Sequence, residues 1–473
     1  MKTEYQALGF RAGLEIHQQL EGRKLFCDCP TIIRRDKPDF VVQRRLRAAA
    51  GETGEVDIAA LHEMEKDKYF LYQGYYDTTC LVELDEEPPN PVNQEALRTA
   101  LQIARLLHAK FIDRMQFMRK TVIDGSNTSG FQRTALIARN GYLEVNGKKI
   151  DIPTVCLEEE ACQVIERRKE YDVYNLSRLG IPLIEIATDA SISSPEECKE
   201  AAAKIGMILR SLPGIKRGIG SIRQDVNVSI KGGARVEIKG FQEYKSIPKV
   251  IEHEMQRQLK LIQQGKKPKE EVRKAEPDFT TSFLRPMPGA ARLYPETDIP
   301  ILIPPSLREE KVELLEEKAK QMEQLGLGKD LAEAIVKHGK ATFLHDMAKK
   351  YKQVKPAFVA ETIVSTPKTI KKKEGLEVAP TEMQFEELFR ALDEGRISKE
   401  AVYNILADLG RTVKLDIGKY ATMPDAILEK ELKKIIEENK ELPFNALIGK
   451  AMEKLRGKAE GRKIVEMLKR LNS

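Results

Sequence analysis

Tryptophan is absent from this chain, and histidine and cysteine number only six each. The cysteines (Cys27, Cys29, Cys80, Cys156, Cys162 and Cys198) are thinly spread and lack the dense spacing of a disulfide framework. That usage points to reduced thiols in a cytosolic setting. No uncharged apolar run approaches the roughly 20 residues needed to span a bilayer. Met1 to Tyr5 also lacks the apolar centre of a secretory leader, so a cytoplasmic protein with no membrane contact is expected. Nucleophile motifs are missing as well. There is no G-x-S-x-G elbow and no cysteine with a convincing histidine partner, which argues against a nucleophilic hydrolase. If the chemistry consumes ammonia, another protein must generate it.

Charge of one sign is lacking too. The formal net charge of +6, from 79 basic and 73 acidic residues, does not by itself announce a nucleic-acid binder. Its distribution says more: Gly449 to Ser473 holds eight Lys or Arg against three Glu. This basic stretch fits a nucleic-acid contact or a solvated helix face. The charged fraction of 32% exceeds the usual quarter. With abundant Lys and Glu, it suits a heat-adapted source.

At 473 residues the chain is too long for one ordinary core. Residues 1–300 mix short alternating runs with a few helices, the pattern of an α+β domain built on antiparallel strands. Ala96, Leu97, Ala100, Leu101, Ala104 and Leu107 recur at helical spacing. Ser194-Pro195-Glu196-Glu197 reads as a helix start, with Ser194 as N-cap and Glu197 closing a capping box. A further helix is expected from Ile247 to Gln264. Strand patterns stop near Pro305, and Arg308–Leu325 and Asp330–Lys350 read as charged amphipathic helices. Thr366–Gly375, with its lysine triplet, reads as a linker. The expected organisation is therefore a cradle domain over 1–304, a helical domain over 305–410 and a basic helical tail over 411–473.

Several strand-like runs carry apolar residues on one face and acids on the other. Gly13-Leu14-Glu15-Ile16-His17 sets Glu15 and His17 together, and Pro182–Asp189 places Glu185 among isoleucines. Ser221–Ile230, followed by Lys231-Gly232-Gly233-Ala234 and Arg235–Lys239, reads as a hairpin. Val226, Val228, Ile230, Val236 and Ile238 would then pack inward, and the other face would gather Arg223, Asp225, Asn227, Ser229, Glu237 and Lys239. So many carboxylates on one sheet face repel one another unless cations sit among them. Oxygen ligands with one histidine favour magnesium over a soft metal. For Glu15 and His17 alone, a metal and a satisfied ion pair fit equally well, and Leu157-Glu158-Glu159-Glu160 could also open a helix.

The segment Arg119–Gln132 is polar and Gly-rich without Walker A spacing. It suits either a phosphate cradle, with Arg119 and Lys120 as cations and small polar groups such as Ser126 and Asn127, or an ordinary loop. Cys27-Asp28-Cys29 with Cys80 and Glu83 could hold zinc, or could be buried reduced thiols.

Longer motifs then become recognisable. Gly13–Leu20 with Leu25-Phe26-Cys27, Cys156–Ala161, Arg178–Ile186, Arg223–Ser229, Tyr294–Pro300 and Ala446–Met452 resemble the GatB/GatE family of tRNA-dependent amidotransferase subunits over nearly the whole chain. Asp124–Thr134, Glu83–Pro89 and Arg285–Arg292 bring it nearer the E-type than the B-type members. One departure is large: E-type members usually carry an insertion resembling part of aspartyl-tRNA synthetase before the Arg285 motif, and here Asp278–Phe283 runs almost directly into it. Glu160 also stands where many relatives have Asp.

The resemblance implies ATP-dependent phosphorylation of the γ-carboxylate on Glu-tRNA(Gln), then displacement of phosphate by ammonia to give Gln-tRNA(Gln). It implies ATP and Mg2+ as cofactors, and Glu15, His17, Glu158, Glu159, Glu185 and Glu237 as the catalytic and magnesium-holding set. Arg119, Lys120, Ser126, Asn127, Arg223, Asp225 and Lys239 are the expected nucleotide contacts. It further implies GatD as the ammonia-generating partner, in an assembly of two D and two E chains, and a YqeY-like tail that holds tRNA. Two rival readings are a B-type subunit of a three-chain enzyme, and a non-catalytic tRNA-binding subunit.

Overall fold

The computed structural model describes residues 2–47, 63–241, 243–287, 293–305, 314–412, 414–439, 441–455, 459 and 461–471. The chain divides into two compact units, Met1–Val312 and Glu313–Ser473. Parts of the expected Arg285–Arg292 motif and of the expected helix from Arg308 lie outside the described residues.

The first unit is α+β. Its strands are β1 (Arg11–Gln19), β2 (Phe40–Arg44), β3 (Tyr69–Gly74), β4 (Lys110–Phe111), β5 (Phe117–Thr121), β6 (Phe131–Val145), β7 (Lys148–Glu159), β8 (Gln163–Arg167), β9 (Tyr171–Asn175), β10 (Pro182–Ala187), β11 (Ile222–Ser229), β12 (Val236–Lys239), β13 (Glu271–Ala275), β14 (Thr281–Pro286) and β15 (Leu293–Pro295). An 11-stranded sheet runs β14-β13-β12-β11-β1-β10-β7-β6-β5-β15, with β4 on β6. Its pairs are antiparallel except β12 with β13, which the helix between them makes parallel. A smaller sheet orders β2-β3-β9-β8.

Among the described residues this unit has the helices α1 (Lys2–Ala7), α2 (Gln94–Leu106), α3 (Pro195–Arg210) and α4 (Ile247–Gln263). The last three bury their apolar stripes in the same core as Leu14, Ile16, Ile184, Ile186, Val226 and Val228. Each such side chain stabilises the unit by roughly 1.5–3 kcal/mol. The Ser194 hydroxyl caps α3 by accepting from the Glu197 amide, while Glu197 itself reaches one residue further back, to the Ser193 amide.

The hairpin of β11 and β12 forms as the Gly-Gly signal expects, with Val226, Val228, Ile230, Val236 and Ile238 all buried. A Cβ at Gly233 would collide with Gln258 Oε1 and with Ile230 Cγ1, so any larger residue there must push both side chains aside. Residues 276–280 join β13 to β14 in a short turn, and β14 then continues straight through Leu284 into Arg285. Phe283 pairs with Arg273 and Arg285 with Val272, so Leu284 is left as a bulge.

The second unit is all-helical: α5 (Leu315–Gln324), α6 (Lys329–Lys337), α7 (Ala341–Lys350), α8 (Pro356–Glu374), α9 (Glu382–Asp393), α10 (Ala401–Thr412), α11 (Asp425–Glu438), α12 (Phe444–Leu455) and α13 (Gly461–Leu471). One apolar cluster joins α5–α10, and a separate one joins α11–α13 through Leu428, Leu432, Ala451, Ile464 and Leu468. The expected helix over Asp330–Lys350 breaks at Gly339, which has a φ of +68°. Thr366–Gly375 is a correction. It forms the last turns of α8, because Ile370 is buried and its polar character faces outward, and the helix stops at Gly375 in the left-handed region. Lys371, Lys372 and Lys373 sit at the negative end of its dipole. No helix among the described residues is long and apolar enough to cross a membrane.

Candidate functional site

Strand register gathers the acids. Across β1 and β10, His17 faces Glu185, and across β1 and β11, Glu15 faces Asp225 and His17 faces Arg223. Glu237 stands opposite Asn227 on β12. On the other flank Glu185 faces Cys156 and Leu183 faces Glu158, while Glu158 faces Thr134 and Gln132 faces Lys120. Alternation puts all these residues on the face opposite Leu14, Ile16, Val155, Leu157, Ile184, Ile186 and Val226. The result is a polar floor across neighbouring strands, backed by the helical core.

Two donor sets lie on this floor. Glu15, His17 and Glu185 offer ligand atoms within 4.8 Å of one another, and so do Glu15, Asp225 and Glu237. Glu15 is common to both. His17 Nε2 is 3.4 Å from Glu15 Oε1 and 3.4 Å from Glu185 Oε2. Its Nδ1 is buried without a hydrogen-bond partner.

The electrostatics reflect crowding. Burial and the nearby Glu185 raise the pKa of Glu15. Burial opposes a charge on His17, yet its hydrogen bond and attraction to Glu185, with Glu15 beside it, lift its pKa above the usual value. Glu185 is likewise desolvated, but Lys120 and His17 hold it well below the ordinary carboxylate range. Lys239 is raised despite burial, by Asp225 and Glu237. Carboxylate oxygens and one imidazole, crowded and partly served by lysines, are the donors a hard divalent cation takes.

Residues outside the expected set hold this floor in place. Glu158 accepts from Thr134 Oγ1 at 2.7 Å, from Gln132 Nε2 at 3.1 Å and from Lys120 Nζ at 3.2 Å. Sequence reasoning missed Gln132 and Thr134, although their alternation with Phe131 and Arg133 was there to be read. Arg223 makes a two-pronged pair with Glu160, which also accepts from Gln19. Desolvation would raise the pKa of the buried Glu160, but that pairing holds it at about 2.

Other expected site residues lie elsewhere. Glu159 is one residue out of phase with Glu158, and its carboxylate accepts from the Arg133 amide on the opposite side. Burial raises its pKa. Arg119 is out of phase with Lys120 and donates to Glu296 and Asp298. Glu296, another residue missed from sequence, also accepts from Arg133 at 2.7 Å. Ser126 and Asn127 belong to the loop before β6, where Asn127 helps line a small cavity with Glu83, Arg133 and Glu159.

Cys27, Cys29, Cys80 and Glu83 do meet, with one ligand atom from each within 4.8 Å of the others. Glu83 accepts from the Cys27 thiol at 2.8 Å and from the Cys80 amide at 2.7 Å, with the buried Lys24 ammonium 3.3 Å away. Three sulfurs and one carboxylate at this spacing are a donor set suited to zinc.

Residues 10–310 match the model of the GatB/GatE catalytic domain, and residues 342–471 match the GatB domain. The chain is 37% identical to the E subunit of the glutamyl-tRNA(Gln) amidotransferase of Methanocaldococcus jannaschii, over 626 aligned positions covering 99% of each chain. Its counterparts in Methanococcus maripaludis and Archaeoglobus fulgidus are each 36% identical, over 98% or more of both chains. Since this chain has 473 residues, a long stretch of each relative faces no residue here.

Proposed function

Because the chain belongs to the GatB/GatE family, we propose that it is the activating component of a tRNA-dependent amidotransferase, converting Glu-tRNA(Gln) to Gln-tRNA(Gln). A carboxylate resists attack by ammonia, so its oxygen must first become a leaving group. The γ-phosphoryl group of ATP passes to the glutamate γ-carboxylate, giving an acyl phosphate and ADP. Ammonia nitrogen then bonds to the carbonyl carbon, the bond to phosphate oxygen breaks, and nitrogen loses a proton.

The observation that carries this reading is the pair of donor sets sharing Glu15. Glu15, His17 and Glu185 would hold one Mg2+, and Glu15, Asp225 and Glu237 a second. When bound, such ions neutralise phosphate charge and bring the γ-phosphate and carboxylate together. Gln132 and Thr134 fix Glu158, and Lys120 and Lys239 supply positive charge beside the acids. Ammonia comes from GatD, consistent with the lack of a nucleophile here. The basic stretch around α13 would hold tRNA, with binding that weakens steeply as salt rises. Cys27, Cys29, Cys80 and Glu83 would take a structural zinc.

The test is ATP hydrolysis stimulated by Glu-tRNA(Gln) in the complex with GatD. Stimulation that disappears in Glu185→Ala and Glu237→Ala supports the reading. Full activity in both variants overturns it, and points to a binding protein whose acids are structural.

A further inference from the structure

Two lysines occupy the floor where cations are expected. Lys239 Nζ lies 2.6 Å from Asp225 Oδ2 and 2.5 Å from Glu237 Oε1. Both carboxylates belong to the second donor set. Lys120 Nζ lies 3.2 Å from Glu158 Oε1 and 3.5 Å from Glu185 Oε2, a member of the first set. Mg2+ binds oxygen at about 2.0–2.1 Å and demands its own coordination geometry. An ammonium already in contact with both Asp225 and Glu237 therefore competes for the same lone pairs.

The backbones at these positions are locked in the sheet, Lys120 on β5 and Lys239 on β12. The four-carbon stems above them are flexible. Each head group can leave its carboxylates without disturbing a strand. Full positive charge released inside an acidic, partly desolvated pocket needs a new anion, and a phosphate chain is the anion whose arrival accompanies the metal. Histidine contributes differently: His17 is nine-tenths buried and its Nδ1 has no partner, so the floor is not satisfied by the lysines alone.

Resting on the proposed metal–nucleotide site, we infer that Lys120 and Lys239 are exchangeable counter-ions, which hold the acids together before metal binds, are displaced by divalent cations, and then bind nucleotide phosphate. Metal and nucleotide binding are thereby coupled through the lysines. Removing a lysine should strengthen metal binding alone and weaken nucleotide binding. A residue that only contacts phosphate would leave metal affinity in the nucleotide-free protein unchanged.

The experiment is Mn2+ binding to the full chain without nucleotide, read by electron paramagnetic resonance, followed by ADP binding at saturating Mn2+. Lys239→Met should bind Mn2+ about tenfold or more tightly than wild type, since a cation in contact with the ligands is gone. It should also bind ADP more weakly, and Lys239→Arg should retain ADP binding better than Lys239→Met. Lys120→Met is measured alongside with the same expected signs, so a folding defect in one variant leaves the other to decide. Unchanged or weaker Mn2+ binding in a folded Met variant overturns the inference while leaving the metal site standing. A wild-type chain that binds no Mn2+ overturns both.

Discussion

His17 and Glu185 stand directly opposite each other across β1 and β10, with Nε2 3.4 Å from Oε2. The pairing joins two segments far apart in sequence, and it depends on strand register alone. A slip of one residue would send either side chain into the apolar core. The polar floor is thus only as secure as the sheet beneath it.

Gly233 tests that dependence. An added Cβ would collide with Gln258 Oε1 and meet Ile230 Cγ1 at 2.8 Å. Gly233→Ala should destabilise the first unit by about 1–3 kcal/mol. Because the turn sets the hairpin that presents Asp225 and Glu237, Mn2+ affinity should fall too. Thermal melting and metal titration check the two effects.

Besides Lys120, Glu158 is positioned by two neighbours that carry no charge. Thr134→Val and Gln132→Ala each remove a hydrogen bond to its carboxylate. Glu158 lies outside both donor sets but shares Lys120 with Glu185, and loss of such outlying support around a metal site costs about 10–100-fold in affinity or activity. Metal-dependent ATP turnover should therefore drop by that order with little change in melting temperature.

Glu160 gives a stability signature with a definite sign. Desolvation works against its charge, but Arg223 and Arg178 outweigh it, and the folded pKa of about 2 lies below the ordinary carboxylate value. The stabilisation is therefore complete above the unfolded value of roughly 4.3 and is lost as pH falls from there toward 2. Glu160→Gln should cost about 3 kcal/mol at neutral pH. The gap from wild type should close between about pH 4.5 and 2, as read by denaturant unfolding at each pH.

The thiol cluster predicts zinc in the purified protein. Metal analysis should find one equivalent per chain, lost in a Cys27→Ser, Cys80→Ser double variant with a lower melting temperature. Protein free of zinc, or a variant that melts like wild type, would return Cys27, Cys29 and Cys80 to the status of buried thiols.

Much of this floor was legible because alternation is a property of the sequence itself. In Leu14-Glu15-Ile16-His17 and in Asp225-Val226-Asn227-Val228, apolar and polar residues take turns, so the face of each is fixed before any contact is known. Where neighbours are alike, that signal fails. Glu158 and Glu159 differ in nothing except position, as do Arg119 and Lys120 in charge. Only the register of β7 with β6, and of β5 with β6, decides which member faces the acids. Ser126 and Asn127 sit in a loop, where no period applies. Thr366–Gly375 misled for a different reason. Polar composition suggested a linker, but a buried apolar residue on its inner face was enough to continue the helix.

The bulge at Leu284 sits where the sheet tolerates extra chain best. Leu284 has no opposite number on β13, and the strand it interrupts forms one border of the sheet. A polypeptide excursion could leave and rejoin at that seam without unzipping the ladder that aligns the acids. Added chain at that border would leave the register of the strands carrying Glu15, Asp225 and Glu237 as it is.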